Sequence, residues 1–529
     1  MVDIEIPLPE ERTWRYRLWE IFPGFVSWSL LLLPAILSVY NPTLFAVYII
    51  AFLLIWFIKS AGLTVRALEG YHMMDRQAKL HWEKLIDDLE NGQLSESSSD
   101  LPRWHKNNVQ RLTERPLCMK PSEIYHMIII ATYNESRDTL EPTIKSVLAS
   151  KYDTKKIILV LAYEERGGPE VATQAKALIS EYGSEVFYAE AIEHPKDIKG
   201  EVIGKGGNIT YAGRQMKKWL EGKKIDPSRV VVTTLDADNR PHPYYLAALT
   251  YTYCSTEDPR YVSYQPVPIF TNNIWDAPSP MRVIATGNSF WNIVLSMRPH
   301  MLRNFSSHAQ GFHALIDTDF WSVRTIVEDG HQFWRSYFRF DGRHEVYPIF
   351  LPIYQDAVLA STYKKTLKMQ FIQLRRWAWG ASDIAYVASK GFRKGSKIKR
   401  TDFVFKLGRL VEGHVSWATA ALLLAFGAQV PVLLNPRSYL ATSLPRIASL
   451  LETIALSGIF VTLYLSLKSL PPKPERYKRH KHFFMIIQWV LLPVTTICYN
   501  SMAAIYSQTR LMFGRYLGKF DVTEKAVKK

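Results

Sequence analysis

Two aspartates one residue apart, Asp236 and Asp238, follow the β-prone run Val230-Val231-Val232-Thr233-Thr234-Leu235. Side chains two apart on an extended chain point the same way, so both carboxylates can reach one hard cation and, through it, a phosphate. A run of this composition reads as a buried strand of an α/β sheet, and ligands of such sheets bind just beyond the carboxyl ends of the strands. An isolated Asp pair after a strand also serves as a cap or turn. What it does therefore depends on its neighbours. One of these is Gly204-Lys205-Gly206-Gly207-Asn208, which opens a helical pattern over Ile209–Leu220. Lys205 there can add positive charge to a bound phosphate, beside the free N–H groups of a helix start.

The elements that must position these residues repeat a strand–helix rhythm. Residues 124–133 form an apolar strand that runs into Asn134-Glu135, followed by a helix through Leu140, Ile144 and Leu148. Residues 156–162 form the next strand, ending at Tyr163-Glu164-Glu165 before a helix over Glu170–Tyr182. Strands alternating with helices at this spacing predict βαβ units and a parallel sheet, with acidic groups gathered at the strand ends.

Apolar runs flank this region. Gly24–Tyr40 and Thr43–Leu63, with Lys59 snorkelling, are long enough to cross a bilayer and are joined by Asn41-Pro42, a tight membrane hairpin. Trp14, Tyr16, Trp19 and Phe22 among Arg12, Arg15 and Arg17 read as an interfacial lead-in. Three further apolar runs follow, Val415–Leu434, Ile447–Leu467 and Phe483–Tyr506. The chain thus divides into a lead-in and two spans (1–63), a helical linker (64–123) broken by an exposed loop at Ser95–Asp100, a catalytic region (124–385), basic interfacial helices (386–414), three spans (415–507) and a basic tail (508–529). Lys468–His482 and Lys390–Arg409 are strongly basic, which places them on the cytoplasmic face against anionic lipid. Five spans would leave the tail, with Arg510, Arg515, Lys519, Lys525, Lys528 and Lys529, on the outer side, against the positive-inside rule. Either the tail is an exception or one apolar run is re-entrant.

Composition narrows the classes. The net charge of +16 is largely assigned to the membrane-facing basic runs, and no nucleic-acid-binding module accompanies it. Cys118, Cys254 and Cys498 are far apart and match neither a zinc site nor a disulfide framework.

In chain order, four signatures resemble those of the processive-type family-2 glycosyltransferases: the cellulose, chitin and hyaluronan synthases and the glucomannan-synthase-like branch. Ala131-Thr132-Tyr133-Asn134-Glu135 resembles the first-strand nucleotide motif, Asp236-Ala237-Asp238 the metal-binding pair, Glu328-Asp329-Gly330-His331 the acidic pair that supplies the base, and Gln373-Leu374-Arg375-Arg376-Trp377 the acceptor-site motif. The resemblance implies a GT-A-type α/β domain with flanking transmembrane helices. It also implies a membrane-embedded inverting enzyme that transfers a hexosyl group from a UDP- or GDP-linked sugar to a growing polysaccharide. A polyprenyl phosphate or glycolipid is the alternative acceptor; the alternative of another class is a transporter-like membrane scaffold with an inactive domain, against which the intact set Asp236, Asp238, Asp329, Gln373, Arg376 and Trp377 argues.

In that reading Asp236 and Asp238 hold Mg or Mn, Lys205 adds charge at the diphosphate, and Asp329 takes the acceptor proton while Glu328 tunes or orients it. Thr132, Asn134 and Glu135 border the nucleotide, and Gln373 lies near the donor. Arg376 offers a planar fork to the diphosphate, and Trp377 stacks on the acceptor sugar. Arg375 is the surface neighbour, and Trp379 belongs to a membrane-facing aromatic face. Asp356 is a second candidate acid. His308, Gln310 and His313 lie where the family places acceptor residues, and Asp317-Thr318-Asp319 reads as a turn. The family's uracil-holding aspartate is replaced by Glu164, so the nucleobase stays open. Gly330 stands where a Trp is usual, with Trp334 further on.

Overall fold

The computed structural model describes residues 4–95, 101–117, 119–455, 458–478, 480–518 and 526. Cys118, most of the Ser95–Asp100 loop and the tail lysines at 519, 525, 528 and 529 lie outside them.

An eight-stranded mixed sheet forms the centre. Its strands are β1 (Tyr125–Thr132), β2 (Ile157–Glu164), β3 (Tyr188–His194), β4 (Val230–Asp236), β5 (Arg240–Pro241), β6 (Val262–Phe270), β7 (Ala309–Gly311) and β8 (Glu345–Gln355), in the order β3-β2-β1-β4-β7-β6-β8-β5. The half containing β3, β2, β1 and β4 is parallel, as the strand–helix rhythm predicts. The short β7 runs antiparallel to both β4 and β6, and β6 is parallel to β8. Two reversals in succession restore the direction, so β6 and β8 end on the same edge as β1, β2 and β4. Register makes this concrete: Ala131 lies opposite Asp236, Thr132 opposite Tyr163, and Phe270 opposite Gln355.

Alternate side chains of the central strands fill two cores, as the period of two requires. Ile128, Ile130, Leu159 and Leu161 pack against Leu140, Ile144 and Val147 of the Arg137–Leu148 helix. Met127, Ile129, Ile158 and Val160 pack on the other side against Ile209, Ala212, Met216 and Leu220 of the Lys205–Lys223 helix. Each fully buried aliphatic side chain contributes roughly 1.5–3 kcal/mol. That rigidity lets the strand ends hold a site.

Long apolar helices flank the sheet domain. Trp14–Tyr40 and Pro42–Ala78 form the expected hairpin, and the Asn41 side chain accepts from Leu44 N at 3.0 Å to start the second helix. The Val415–Leu434 run is not one helix. The Arg400–Phe426 helix ends there, and a separate turn, Val430–Leu434, follows. Gly427 sits so close to Leu423 O and Ile49 that a Cβ would lie 2.4 Å from that oxygen. Asn435 then donates to Ser38 O, and Ala428 and Leu444 pack with Phe45 and Ile49 near the hairpin tip.

Tyr439–Lys468 returns beside Pro42–Ala78. Gly458 lies against Thr64, and Leu465 joins the cluster of Ala67 and Ile293. Lys481–Met512 is long and apolar enough to cross a membrane, but it is an interrupted helix with a π-helical turn at Thr496–Ser501. Both of its ends touch the domain side. Near the first end Gln488 accepts from Arg282 Nε at 2.6 Å, and at the other Arg17 donates to Leu511 O at 2.7 Å and Met512 O at 2.6 Å.

Candidate active site

At the common edge of β1, β2, β4, β6 and β8, one cavity of about 1500 Å³ opens between the sheet and the apolar helices. Its sheet end is lined by Thr132, Glu135, Glu164, Lys205, Asp236 and Asp238; further in come Glu328, Asp329, Gln373, Arg376 and Trp377. Motif residues as far apart in the chain as Thr132 and Trp377 thus share one space. Asn134 does not line it. Its backbone N–H donates to Glu135 Oε2 at 3.2 Å, so its part in the motif is that of a turn residue.

The β1 end is fastened by Glu135, whose Oε2 also accepts from Thr132 Oγ1 and Tyr133 N, both at 2.8 Å. The β2 end is fastened differently. Glu164 is buried and paired with Arg166, whose guanidinium lies 5.2 Å from the Tyr133 ring centroid. Sequence reasoning missed Arg166, although a cation two residues beyond the acid was there to be read. Asn208, also missed, donates from its buried side chain to Ala162 O at 2.9 Å and tethers the helix to β2.

Asp236 and Asp238 leave the end of β4 in different surroundings. Asp238 is buried, and its Oδ2 accepts from Asp356 N at 3.1 Å, which ties the β8 exit to the β4 exit. The Asp236 side chain is 34% exposed, and its Oδ1 lies 2.7 Å from Lys205 Nζ. Lys205 donates as well to Ser306 O at 2.9 Å. Burial by itself would lower the Lys205 ammonium, but Asp236, Glu328 and Asp329 outweigh it and hold the lysine above its ordinary value. The glycines beside it serve packing: a Cβ on Gly206 would lie 2.3 Å from Ser322 O.

Among the described residues, no group of three or more His, Cys, Asp or Glu side chains is arranged to hold a metal ion. Two carboxylates at one strand end nevertheless fit a hard divalent ion of the Mg type, which takes its remaining oxygens from water and substrate phosphate.

Glu328 and Asp329 start the Glu328–Arg339 helix, against the Lys205 loop. Burial, and then the negative charge of Asp329, pushes the Glu328 carboxyl up to about 8. Burial also holds Asp329 above its ordinary range, against the pull of Lys205 and the 2.7 Å hydrogen bond from Gly330 N. Two adjacent acids raised above their ordinary range suit proton transfer. His331, the last residue of that motif, turns away and meets Asp383 at 2.8 Å.

The Tyr363–Ala378 helix supplies the far wall. Gln373 accepts from Gln370 Nε2 at 3.1 Å, and Trp377 lies 6.1 Å from Phe270 between ring centroids. Arg375 points away from the cavity, with its guanidinium 5.8 Å from the Tyr506 ring centroid. Trp379, expected on a membrane-facing aromatic face, is instead buried with Ile326, Val327 and Leu511.

Two expectations need correction. His308 does not line the cavity. Its Nδ1 lies 2.8 Å from Phe305 O and its Nε2 accepts from Trp321 Nε1 at 3.0 Å, while burial lowers its pKa to about 4, so it is a neutral core histidine. Gln310 and His313 are likewise off the cavity, Gln310 donating to Ser336 Oγ at 3.2 Å. They sit on or after β7, which carries its residues to the opposite edge because it runs against its neighbours. The Asp317–Asp319 turn is as expected. Asp319 has a positive φ of 49°, and the two carboxylates pair with Arg260 and Arg214.

No protein-family model matches this chain, and no curated protein matches it. Many solved structures resemble it weakly, among them the following two. The mannosyltransferase PcManGT from Pyrobaculum calidifontis, in complex with GDP-Man and Mn2+, is 14% identical with a TM-score of 0.42, over 77% of this chain and 99% of that one. Residues 1–349 of S. aureus TarS are 9% identical with a TM-score of 0.35, over 74% and 93%.

Proposed function

We propose that this protein is a membrane-embedded, inverting, metal-assisted glycosyltransferase of the family-2 type. It moves a hexosyl group from a nucleotide-diphosphate sugar to a hydroxyl of a growing glycan on the cytoplasmic face. The observation that carries the reading is the single cavity in which the Asp236/Asp238 pair, the Glu328/Asp329 pair and the Gln373–Trp377 helix meet. The α/β sheet with its ligand edge at the strand ends and the apolar helices around it support the same reading.

In this mechanism Thr132 and Glu164 border the nucleoside, and Asp236 and Asp238 hold Mg or Mn. The ion, when bound, neutralises the leaving diphosphate as a Lewis acid. Lys205 is released from Asp236 towards the phosphates, and Arg376 meets them with its fork. The acceptor hydroxyl oxygen forms its bond to the anomeric carbon as the bond from that carbon to the phosphate oxygen breaks. The proton passes to Asp329, the configuration inverts, and the nucleoside diphosphate leaves. A base whose pKa lies above the usual carboxylate range is well matched to that step. Trp377 holds the acceptor sugar ring by its face.

The test offers purified protein a panel of UDP- and GDP-sugars with Mg or Mn and glycan acceptors. We expect transfer from at least one donor, its loss on chelation, and a fall of about 10²-fold or more in Asp329→Asn with the melting profile kept. Absence of transfer from every donor overturns the reading, and full activity in Asp329→Asn removes the base from Asp329.

A further inference from the structure

Away from the carboxylates of its sheet end, the cavity has a second, oppositely charged region. Arg66 on the Pro42–Ala78 helix, Arg298 and Arg303 after the Ser279–Ser296 helix, and Arg409 on the Arg400–Phe426 helix all line it, together with Lys59 and Glu412. Glu412 is taken by Lys59 at 2.6 Å and by Arg409 at 3.5 Å. Among the described residues no carboxylate forms an ion pair with Arg66, Arg298 or Arg303. Arg66 donates to Gly62 O of its own helix at 2.9 Å, Arg409 leans on Met301 Sδ at 3.4 Å, and Arg303 stacks 3.9 Å from the Phe333 ring centroid.

The cations feel one another. Burial, and next the charges of Arg66 and Arg409, lowers Arg298, and the same surroundings lower His300 between them. Like charges gathered in a half-buried space repel unless an anion joins them. The planar guanidinium fork matches phosphate oxygens two at a time. Cations that merely met bulk lipid headgroups would point out to the surface; these line an interior cavity shared by three separate elements.

The mouth of this region is apolar. Trp291 and Ile58 also line the cavity, yet they are 49% and 69% exposed, on the Ser279–Ser296 and Pro42–Ala78 helices. A Trp at such an edge is at home in the membrane interface. A site with cations inside and exposed apolar groups at its lip fits a molecule with a charged head and a hydrocarbon chain.

We infer that this cationic vestibule binds the phosphate group of a membrane amphiphile, positioning it beside the acceptor end of the same cavity. Its role as the lipid carrier of the glycan acceptor rests on the proposed glycosyltransferase reading. The phosphate can come from a polyprenyl phosphate carrier or from a bulk anionic phospholipid, and the two are separable by experiment.

The full-length protein in neutral detergent is incubated with a long-chain polyprenyl phosphate, the corresponding neutral polyprenol, phosphatidylglycerol or inorganic phosphate. Lipid retained through size-exclusion chromatography is then measured by mass spectrometry. A phosphate-bearing lipid should be retained and the polyprenol should not. Retention should fall about tenfold or more in the Arg66→Gln/Arg298→Gln double variant, the loss expected for removing charged phosphate contacts. The Arg66→Lys/Arg298→Lys variant should keep most of it, which separates charge from misfolding. Preference for polyprenyl phosphate over phosphatidylglycerol assigns the carrier; equal retention assigns bulk lipid. Retention of polyprenol as strong as that of its phosphate, or undiminished retention in the Gln variant, overturns the inference. Displacement of the lipid by an equal concentration of inorganic phosphate does so too. Release of nucleoside diphosphate from a donor by the same wild-type preparation reads the glycosyltransferase proposal on its own.

Discussion

Glu328 and Asp329 are adjacent acids at the start of a helix, where backbone N–H groups favour a negative charge. Burial opposes that, and it prevails. For catalysis, the base must be ionised, so the transfer rate should rise with pH through an inflection above the ordinary value of an aspartate. Glu328 is still protonated when Asp329 ionises, so Glu328→Gln should leave that inflection in place, read from a pH–rate profile. For stability the sign is fixed by linkage. A carboxyl raised from its ordinary value of 4.5 to about 8 binds its proton more tightly in the folded state. Its stabilising contribution is therefore full below the unfolded value and is lost as pH climbs through the folded one. The wild-type melting temperature should decline more between about pH 5 and about pH 8 than that of Glu328→Gln. Parallel melting curves for the two proteins would mean that Glu328 is ionised across the range.

The helix carrying this pair is held by an element that had no such role in the sequence. Ile4 O accepts from Tyr386 OH at 2.7 Å, Ile6 O accepts from Arg324 Nη1 at 2.9 Å, and Glu5 Oε2 meets Arg335 Nη1 at 2.6 Å. Arg335 lies on the Glu328–Arg339 helix and is 2% exposed, so removing its partner leaves a buried cation. Glu5→Ala should cost about 2 kcal/mol of stability, towards the low end for breaking a charged pair because Glu5 keeps some water contact. Chemical denaturation checks this, and an unchanged midpoint would show that the segment is loosely held. The residues from Ile4 to Leu8 carry no helical or strand period, which is why sequence pattern read only an interfacial lead-in. The parallel half of the sheet was readable for the opposite reason: β1, β2 and β4 are long β-prone runs at βαβ spacing. The other half was not. β6 contains Pro266 and Pro268, β8 contains Pro348 and Pro352, and β7 has three residues. Proline argues against a central strand because it removes a ladder donor. Here the register slips between Pro266 and Val267 to accommodate it. The site was more readable than the sheet: of the residues expected to border it, only Asn134 in the nucleotide motif and His308, Gln310 and His313, which belong to none of the four motifs, lie off the cavity. Partner choices, such as Lys205 with Asp236 or Glu164 with Arg166, depend on distances that spacing does not encode.

At the scale of the molecule, contacts along the apolar helices bear on the conflict over the basic tail. Arg400–Phe426 and the turn after it climb from the domain, where Phe403 packs with Tyr386, to Ser38 at the hairpin tip. Tyr439–Lys468 descends from Phe45 to Ala67. Together with the hairpin these run four times between the domain and the hairpin tip, although Arg400–Phe426 is not among the helices long and apolar enough by themselves to cross a membrane. Lys481–Met512, which composition alone would count as a span, starts beside Trp275 and Arg282 and ends beside Arg17 and Glu20. Along its length Ser507 donates to Arg375 O at 2.7 Å, and Ser27 donates to Gln508 Oε1 at 2.6 Å, so its polar face is turned to the protein. Thirty-two residues of helix measure roughly 48 Å, longer than a hydrocarbon core of about 30 Å, yet both ends return to one level. The segment is therefore expected to lie along the domain-side interface, which brings Arg510 and Arg515 to the same side as Lys468–His482, where the positive-inside rule would have them. Single cysteines placed at Ser438, Lys473 and Arg515, in protein whose own three cysteines are replaced, would test this with a membrane-impermeant maleimide on sealed vesicles of both orientations. Positions 473 and 515 should label from one side and position 438 from the other. Labelling of 515 together with 438 would make Lys481–Met512 a true span and return the basic tail to the outer face.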